Sequence, residues 1–540
     1  MPLRSLNTLP IITGNQVTGE TANSRHVRMQ PTNNSSPVNQ VAKALLVAML
    51  CSAPALICFR TAAGACVADA DLGWHLRTGE WILQHHAVPH VDIFSRFGAG
   101  KPWQAYSWLY EVVLIRLYQW FRLDGVMLYM GVMLTAIAAA LYRLLSRLQP
   151  DFTRSAMLTM VVLTAISRLY TPRPWLFTIL FFILEIDILM QARRTGASRK
   201  LLWLPPLFIL WANIHIQFIN GLMVLGVAAC EPLLARWWKP SISRLSGRSL
   251  WLTLGACTAA ACVNPFGIGI YKVAHALASQ PGVLNTVNEM RAMPFRSISD
   301  FLLLFLALTA VGVMFRFHRF FPFETAMLVI AILLSFRSQR DMWFLAIVAA
   351  VIVAEGLAAR STAEQPQRDA LWTLPLSLGA TALMVLVTAF ATQIRNDQLN
   401  GKLAEEMPLK AVEVVRERQY AGPLYNTYAW GGFLIWSLRQ PVTIDGRAAF
   451  YGDERIERSN RTWNGAPDWS SDPDLKSAGL VIAPVDAALA QLLRQDPRFE
   501  LTYQDKIAAV FVARNQPQKN SSSVAALGPA DKPHDPEKKL

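Results

Sequence analysis

The chain has 540 residues, of which 53% are hydrophobic and only 16% are charged. This balance excludes a soluble protein with a large core and indicates a membrane protein with many spanning helices. The formal net charge of +14 belongs to loops and tails, and no groove suited to nucleic acid is predicted.

The first 40 residues are polar and rich in Asn, Ser, Thr and Pro, which predicts a disordered tail at 1–40. The segment 42–60 is long enough to cross a hydrocarbon core, which needs about 20 apolar residues. We predict about eleven spans within a membrane module at 41–395. The ten further apolar runs are 125–141, 155–167, 174–192, 201–214, 217–235, 249–263, 301–315, 321–336, 342–354 and 370–394.

The basic residues between the apolar runs indicate the orientation of the chain. Short cytoplasmic loops of membrane proteins are enriched in Lys and Arg. Two loops of this kind follow 174–192 and 217–235, and they contain Arg193, Arg194, Arg199, Lys200, Arg236, Lys239, Arg244 and Arg248. Counting spans from these loops places the N-terminus in the cytoplasm, and it places loop 61–122 and the chain after Arg395 outside.

The outer loop 61–122 begins with the acidic stretch Asp69-Ala70-Asp71. His75 lies four residues after Asp71, on the same face if a helix has begun there, and could orient the acid or join a metal site. An Asp-x-Asp pair also occurs by chance, and it could merely cap a helix or form a salt bridge. Glu80 follows in the same stretch.

Two segments of this outer loop, 74–86 and 107–121, are predicted to be amphipathic helices lying in the membrane interface. The second segment is too short to cross comfortably and carries Glu111 and Arg116 in its middle. The loop is therefore predicted to stay on one side of the membrane.

Arginines flank two turns that are predicted to face outside. Arg173 belongs to the first turn, and Arg337 and Arg340 belong to the second. Arginines on the disfavoured side suggest an anionic partner such as a lipid head group. The alternative is a structural ion pair with a carboxylate such as Asp341 or Glu289.

Other polar residues map to the same outer side. Asn213 and His215 lie at the turn of a predicted hairpin over 201–235, and Glu289 lies in a later outer loop. A lone His near a helix end is usually a satisfied polar group. The convergence of acids, amides, imidazoles and arginines on one face favours a chemical site there.

After residue 396 the composition becomes that of a soluble domain, and short strands alternating with helices predict a small α/β domain at 396–515. Residues 441–445 are predicted to be a strand that leads into Gly446-Arg447. We expect Asn426, Asp445 and Arg447 either to bind an acceptor molecule or to form a tight turn, which the neighbouring Gly446 permits. Residues 516–540 are predicted to be a disordered tail. All six cysteines lie in or beside spans, so no disulfide framework is expected in this domain.

This arrangement resembles the GT-C superfamily of polyprenyl-phosphate-dependent glycosyltransferases: a retained first span, an outer loop opening on an acidic pair, two interfacial helices, further spans and an outer C-terminal domain. Four motifs more narrowly resemble a bacterial, largely uncharacterised family of multispan proteins grouped with that superfamily. The motifs begin at Asp69 (Asp-Ala-Asp-Leu-Gly-Trp-His), Leu210 (Leu-Trp-Ala-Asn-Ile-His), Asn264 (Asn-Pro-Phe-Gly) and Ile444 (Ile-Asp-Gly-Arg).

The resemblance implies a glycosyltransferase in the bacterial inner membrane. It would move a sugar from a polyprenyl-phosphate-linked donor to an envelope glycan, lipid or protein acceptor on the outer face. Such a transfer needs a base to deprotonate the acceptor hydroxyl and cations to hold the leaving phosphate. By position, Asp69 or Asp71 matches the catalytic acid. The expected phosphate ligands are Arg173, Arg337 and Arg340, and the expected supporting residues are His75, Glu80, Asn213, His215 and Glu289. A divalent cation, Mg or Mn, would be held by Asp69, Asp71 and His75 if the reaction uses one.

A non-enzymatic protein is the competing interpretation: a transporter or flippase of lipid-linked saccharides, or an assembly partner for them. A transporter should place ionisable residues near the middle of a span. Glu185 and Asp187 are the chief candidates, and the sequence predicts that they lie near the cytoplasmic end of 174–192. The sequence therefore favours chemistry at the surface over transport.

Overall fold

A computed structural model describes residues 37–236, 243–278, 287–358, 379, 381–382 and 396–514. The described part of the membrane module is mostly helical. Its helices are α1 (Pro37–Ile57), α2 (Ala63–Val67), α3 (Leu72–His85), α4 (Trp108–Phe121), α5 (Leu123–Leu148), α6 (Phe152–Ala165), α7 (Trp175–Thr195), α8 (Leu204–Ile214), α9 (Phe218–Leu234), α10 (Gly247–Ala260), α11 (Gly269–Ala278), α12 (Ile298–Arg316), α13 (Pro322–Arg337) and α14 (Met342–Ala358).

Five of the described helical stretches are long and apolar enough to cross a membrane, so the protein is a multi-pass membrane protein. They are Gln40–Val67, Leu123–Leu148, Trp175–Thr195, Ile298–Arg316 and Gln339–Ala358. Two shorter apolar helices, α6 and α9, accompany them. The predicted number of about eleven spans is not confirmed, and the predicted span at 370–394 lies almost entirely outside the described residues.

The helix α14 lies at the centre of the bundle. Every residue from Met342 to Gly356 is buried, and α12 and α13 pack along it. Because α14 presents no side to water, its sequence does not need a polar face. The helix α5 packs against both α1 and α7.

The two interfacial helices predicted in the outer loop correspond to α3 and α4, which have 14 residues each and pack against each other. Asp71 stands at the N-cap position of α3, but its side chain makes no capping hydrogen bond. Instead, the backbone N–H of Asp71 donates to Oδ1 of Asp69 at 2.9 Å. The acidic stretch thus forms a tight turn that leaves the Asp71 carboxylate free for other partners.

The C-terminal region forms a small α/β domain, as predicted. Its helices are α15 (Asn396–Glu406), α16 (Leu409–Glu417), α17 (Tyr428–Leu438), α18 (Ala448–Tyr451), α19 (Asp453–Trp463), α20 (Pro473–Lys476) and α21 (Ala488–Leu493). Its strands are β1 (Leu424–Asn426), β2 (Leu480–Pro484), β3 (Phe499–Gln504) and β4 (Ala508–Ala513). The sheet has the order β1-β2-β4-β3, in which only β1 and β2 pair in parallel.

The predicted strand at 441–445 is absent from this sheet. Val442 instead exchanges backbone hydrogen bonds of 3.0 Å with Phe94 and Arg96 of the outer loop, and the pairing stops after one bridge with Ser95. The apolar alternation of this segment therefore reflects packing between the domain and the outer loop. This contact brings the C-terminal domain against α3, where α17 packs.

Candidate active site

The acidic loop meets the turn before α7 through a single guanidinium. Arg173 Nε donates to the Asp69 carboxylate at 2.9 Å, and Arg173 Nη1 donates to Oδ2 of Asp71. Oε1 of Glu289 lies 3.6 Å from the same Nη1 atom. Three predicted site carboxylates are therefore gathered around one arginine, which balances part of their charge.

The environment of Asp71 differs from that of an exposed aspartate. The pKa of Asp71 is raised to about 7, chiefly by burial. The charge of Arg173 opposes this shift, and the charges of Asp69 and Glu289 contribute to it. A carboxylate whose pKa lies close to neutral pH is well matched to accept a proton from a hydroxyl group.

Glycine backbones from the C-terminal domain close over the acidic loop. A Cβ atom added at Gly446 would lie 1.6 Å from Oδ1 of Asp71. A Cβ atom added at Gly432 would lie 2.2 Å from the backbone oxygen of Ala70. Only glycine permits such close approach at these two positions. The domain therefore forms one wall of the site, next to the carboxylate of Asp71.

A second arginine lies beside the first, over the same indole. The guanidinium carbons of Arg173 and Arg340 are each 5.2 Å from the centroid of a Trp175 ring. Arg340 Nη2 lies 3.2 Å from Nε2 of His215. Arg340 Nε is buried and has no hydrogen-bond partner among the described residues.

The histidine that contacts Arg340 is held in its neutral form. Burial lowers the pKa of His215 well below its usual value, and the charge of Arg340 lowers it further. Nδ1 of His215 lies 2.8 Å from Oγ1 of Thr178, and this hydroxyl also accepts the indole N–H of Trp211 at 2.9 Å. With Nε2 accepting from Arg340, Nδ1 carries the proton and donates to Thr178.

His75 pairs with a residue that the sequence did not single out for the site. Its Nδ1 atom lies 3.1 Å from Oε1 of Glu111 in α4, and both side chains are buried. Burial lowers the pKa of His75 and raises the pKa of Glu111. The charges of Arg173 and Arg340 also lower the pKa of His75, so the imidazole lies within the field of the arginine pair.

Three other predicted site residues have different surroundings. The Asn213 amide donates to the backbone oxygens of Ile209 and Val263 at 2.8 Å, and its oxygen accepts the indole N–H of Trp108 at 2.9 Å. Glu80 forms salt bridges with Arg77 and with Arg439 of the C-terminal domain. Arg337 is exposed at the end of α13.

The predicted residues of the C-terminal domain lie behind the wall formed by Gly446. Asn426 is buried, and its hydrogen bonds with Thr443 and Ile444 hold the segment that leads to Gly446. Arg447 donates to the Asp445 carboxylate at 2.8 and 2.7 Å and to Oδ1 of Asp92 in the outer loop at 2.6 Å. This buried triad binds the domain to the outer loop.

The residues expected to hold a divalent cation do not fit one in this arrangement. The guanidinium of Arg173 lies between the Asp69 and Asp71 carboxylates, where a bridging cation would have to bind. Nδ1 of His75 is directed to Glu111. Within the described parts of the chain, no group of three His, Cys, Asp or Glu side chains has a geometry that could hold a metal ion.

Three residues near the site, Tyr106, Glu111 and Tyr428, were not predicted to be site residues. Burial raises the pKa of the Tyr106 hydroxyl. The charges of Arg340, Asp71, Glu111 and Arg173 also act on this pKa, so Tyr106 lies near all four side chains. Tyr428 donates to the backbone oxygen of Gly446 at 2.8 Å. Glu111 could have been found as a carboxylate in the middle of an apolar helix, which is costly unless it has a partner.

No family model matches the chain, and no curated protein matches it by sequence. The oligosaccharyltransferase of Archaeoglobus fulgidus in its apo form aligns over 83% of this chain and 69% of that chain, with 10% identity and a TM-score of 0.50. ArnT from Cupriavidus metallidurans bound to undecaprenyl phosphate aligns over 88% of this chain and 97% of that chain, with 13% identity and a TM-score of 0.42.

The oligosaccharyltransferase is a member of the GT-C superfamily. At such low identity the similarity to the oligosaccharyltransferase concerns the fold alone. The chain therefore has a GT-C-like fold, as the arrangement of its sequence segments predicted.

Proposed function

We propose that the protein is a membrane glycosyltransferase that moves a sugar from a polyprenyl-phosphate-linked donor to an envelope acceptor on the outer face. The observation that carries the proposal is the buried Asp71 carboxylate, which lies against Arg173 beside a second arginine, Arg340. This arrangement offers a proton acceptor and a cation for a leaving phosphate within one site.

In the proposed reaction, Asp71 removes the proton from the acceptor hydroxyl as its oxygen attacks the anomeric carbon of the donor sugar. The bond from that carbon to the phosphate oxygen breaks, and polyprenyl phosphate leaves with the electron pair. Arg173 holds Asp71 and Asp69 in position through its hydrogen bonds. No step in this reaction uses a metal ion.

Arg340 is the strongest candidate for binding the phosphate. The charge of Arg173 is already offset by Asp69 and Asp71. Arg340 Nε is buried without a hydrogen-bond partner among the described residues, and its Nη2 lies 3.2 Å from Nε2 of a neutral histidine, His215. A phosphate oxygen would satisfy the unpartnered N–H, and charge-assisted bonds of this kind are short and strong.

Arg340→Gln is therefore expected to weaken the binding of a polyprenyl monophosphate by about 10- to 100-fold, since a hydrogen bond to a charged group contributes about 1.5–3 kcal/mol. The measurement is a titration of the purified protein in detergent. Arg337→Gln is the matched control, because Arg337 is exposed three residues away, and we expect its affinity to stay within about twofold. Unchanged affinity in Arg340→Gln would remove this arginine from the phosphate site.

The pH dependence of turnover should follow the ionisation of Asp71, whose pKa burial raises to about 7. A base works only when deprotonated, so turnover should fall as the pH drops below 7 and level off above 8. Because the charge of Glu289 raises the pKa of Asp71, Glu289→Gln should move the midpoint to lower pH. The measurement is release of polyprenyl phosphate by the purified protein. A profile that is flat between about pH 5 and 8 would contradict the assignment.

One observation favours the transporter alternative. Glu185 lies near the middle of α7, not at the predicted cytoplasmic end, and it is fully buried. Neither of its carboxylate oxygens has a hydrogen-bond partner among the described residues. Asp187, by contrast, accepts a hydrogen bond from Arg147 at 2.7 Å. An intramembrane carboxylate of this kind is a common feature of proton or ion pathways.

Glu185→Gln separates the two functions. Glutamine has the same shape as glutamic acid but cannot exchange a proton with a pathway, so a proton-coupled transporter should lose its function. The proposed glycosyltransferase should complement a null strain as well as the parent protein does, because Glu185 takes no part in its reaction. Loss of complementation at matched membrane levels would favour transport.

A further inference from the structure

Two cysteine thiols are in contact beside the acidic loop. The Sγ atoms of Cys58 and Cys66 are 3.5 Å apart, and both side chains are buried. The Cys66 thiol also lies 3.6 Å from the backbone oxygen of Tyr170. Cys66 comes three residues before Asp69, and Tyr170 comes three residues before Arg173. The thiol pair therefore lies where the two segments that carry the ion pair of the site meet.

An irregular helix brings the two thiols together. Residues eight positions apart in a regular α-helix are separated by about 12 Å along the axis, which is too far for cysteine side chains to meet. Here a π-helical turn, Cys58–Ala62, follows α1, and Ala62 departs from helical geometry with φ −121° before α2 begins. This departure from regular helical geometry lies between the two cysteines, whose thiols are in contact. Irregular turns of this kind are frequent at functional sites.

The contact is specific to this pair among the described cysteines. The structure contains no second sulfur–sulfur contact within hydrogen-bonding distance in residues 37–236, 243–278 and 287–358, which hold every cysteine of the chain. The other thiols belong to Cys51, Cys230, Cys257 and Cys262. Cys51 is also buried in α1, seven positions before Cys58, which makes it a natural reference for experiments.

We propose that Cys58 and Cys66 are joined by a disulfide bond that fixes the start of the acidic loop. The proposal rests on the outward orientation of this loop in the proposed function, because disulfides form and persist in oxidising compartments. An S–S bond of about 2.05 Å requires the sulfurs to approach by about 1.5 Å from the observed contact. The bond would hold α2, and with it the turn that carries Asp69, against the end of α1.

The bond forms by thiol–disulfide exchange with an oxidised protein dithiol on the outer face. One cysteine thiolate attacks the disulfide of this carrier, and the second then displaces the carrier from the mixed disulfide. The two cysteines lose two protons and two electrons, and the carrier disulfide is reduced to two thiols. Because both thiols are buried in the folded chain, the exchange precedes the packing of α2 into the core.

Trypsin can report the bond directly, because Arg60 lies between the two cysteines. Cells that express the full chain are quenched with acid, and free thiols are blocked with N-ethylmaleimide in denaturant without reductant. A disulfide then joins the tryptic peptides 44–60 and 61–77 into one species. Its mass is about 2 Da below the sum of peptide 61–77 and of peptide 44–60 with Cys51 blocked by N-ethylmaleimide. We expect this species in most of the parent protein, and we expect reductant to separate its two peptides.

Cys51 shares a tryptic peptide with Cys58, so Cys51→Ser is the matched control. The linked species should persist in Cys51→Ser and disappear in Cys58→Ser. Recovery of Cys58 and Cys66 as N-ethylmaleimide adducts from the parent protein would overturn the proposal, and so would a link that depends on Cys51. Free thiols together with an inactive Asp71→Asn variant would overturn the disulfide and leave the proposed function standing.

Discussion

Asp71→Asn is expected to lower sugar transfer by about 10²–10⁴-fold, which is the usual contribution of a positioned base. The amide preserves the size of the side chain and can still accept a hydrogen bond from Arg173, but it cannot accept the proton of the acceptor hydroxyl. Expression and binding of a polyprenyl monophosphate should therefore be retained. Complementation of a null strain at matched membrane levels measures the effect, and purified protein measures the binding.

Asp69→Asn and Glu500→Gln are the comparison variants for Asp71→Asn. Asp69 accepts hydrogen bonds from Arg173 and from the backbone of Asp71, so its amide variant should lose less activity than Asp71→Asn. Glu500 is exposed on β3 and should tolerate the change from acid to amide. A helix cap responds differently, because Asn caps about as well as Asp. If Asp71→Asn and Asp69→Asn both complement fully, the proposed mechanism is wrong.

Gly446→Ala is expected to disable the site from the opposite wall. The new Cβ atom would lie 1.6 Å from Oδ1 of Asp71, so the carboxylate must leave its position or the domain must move away. Because Asp71 would then be misplaced relative to Arg173, we expect turnover to fall by about 10²-fold or more, the loss that small misplacement of reacting groups causes. The measurement is turnover of the purified protein together with its melting temperature.

Gly401→Ala is the matched control for this substitution. Gly401 lies in α15 of the same domain, and a Cβ atom there would meet nothing within 4 Å. Alanine should stabilise this helix by up to about 1 kcal/mol and leave turnover unchanged. A Gly446→Ala variant with parental turnover would show that the C-terminal domain does not position Asp71.

The fold class could be predicted from the sequence because membrane helices have long apolar runs. The C-terminal domain could be predicted because its short strands and helices alternate. The GT-C-like fold expected from the arrangement of these segments is confirmed by the structural similarity. The number of spans was harder to predict from the sequence. The run 342–354 looks like any lipid-facing span, yet α14 is buried on all sides, and lipid and protein interior have the same apolar preference.

The acidic loop could be singled out because ionisable residues directly after a span are unusual. The structure brings Asp69, Asp71, Arg173 and Glu289 together from three separate segments, although their roles remain predictions. The close approach of Gly446 to Asp71 could not be predicted, because the need for glycine arises only when the domain packs onto α3. The pairing of His75 with Glu111 was missed because a helical spacing from Asp71 was the only available guide to its partner.

The central claim, sugar transfer from a polyprenyl-phosphate donor by the Asp71 site, is tested most directly by mass spectrometry of lipid extracts. Extracts are compared from a null strain and from the same strain carrying the parent protein or Asp71→Asn at matched membrane levels. We predict that a polyprenyl-phosphate sugar accumulates in the null strain and with Asp71→Asn, and returns to its basal level with the parent protein. Identical polyprenyl-phosphate sugar pools in all three strains would contradict the account.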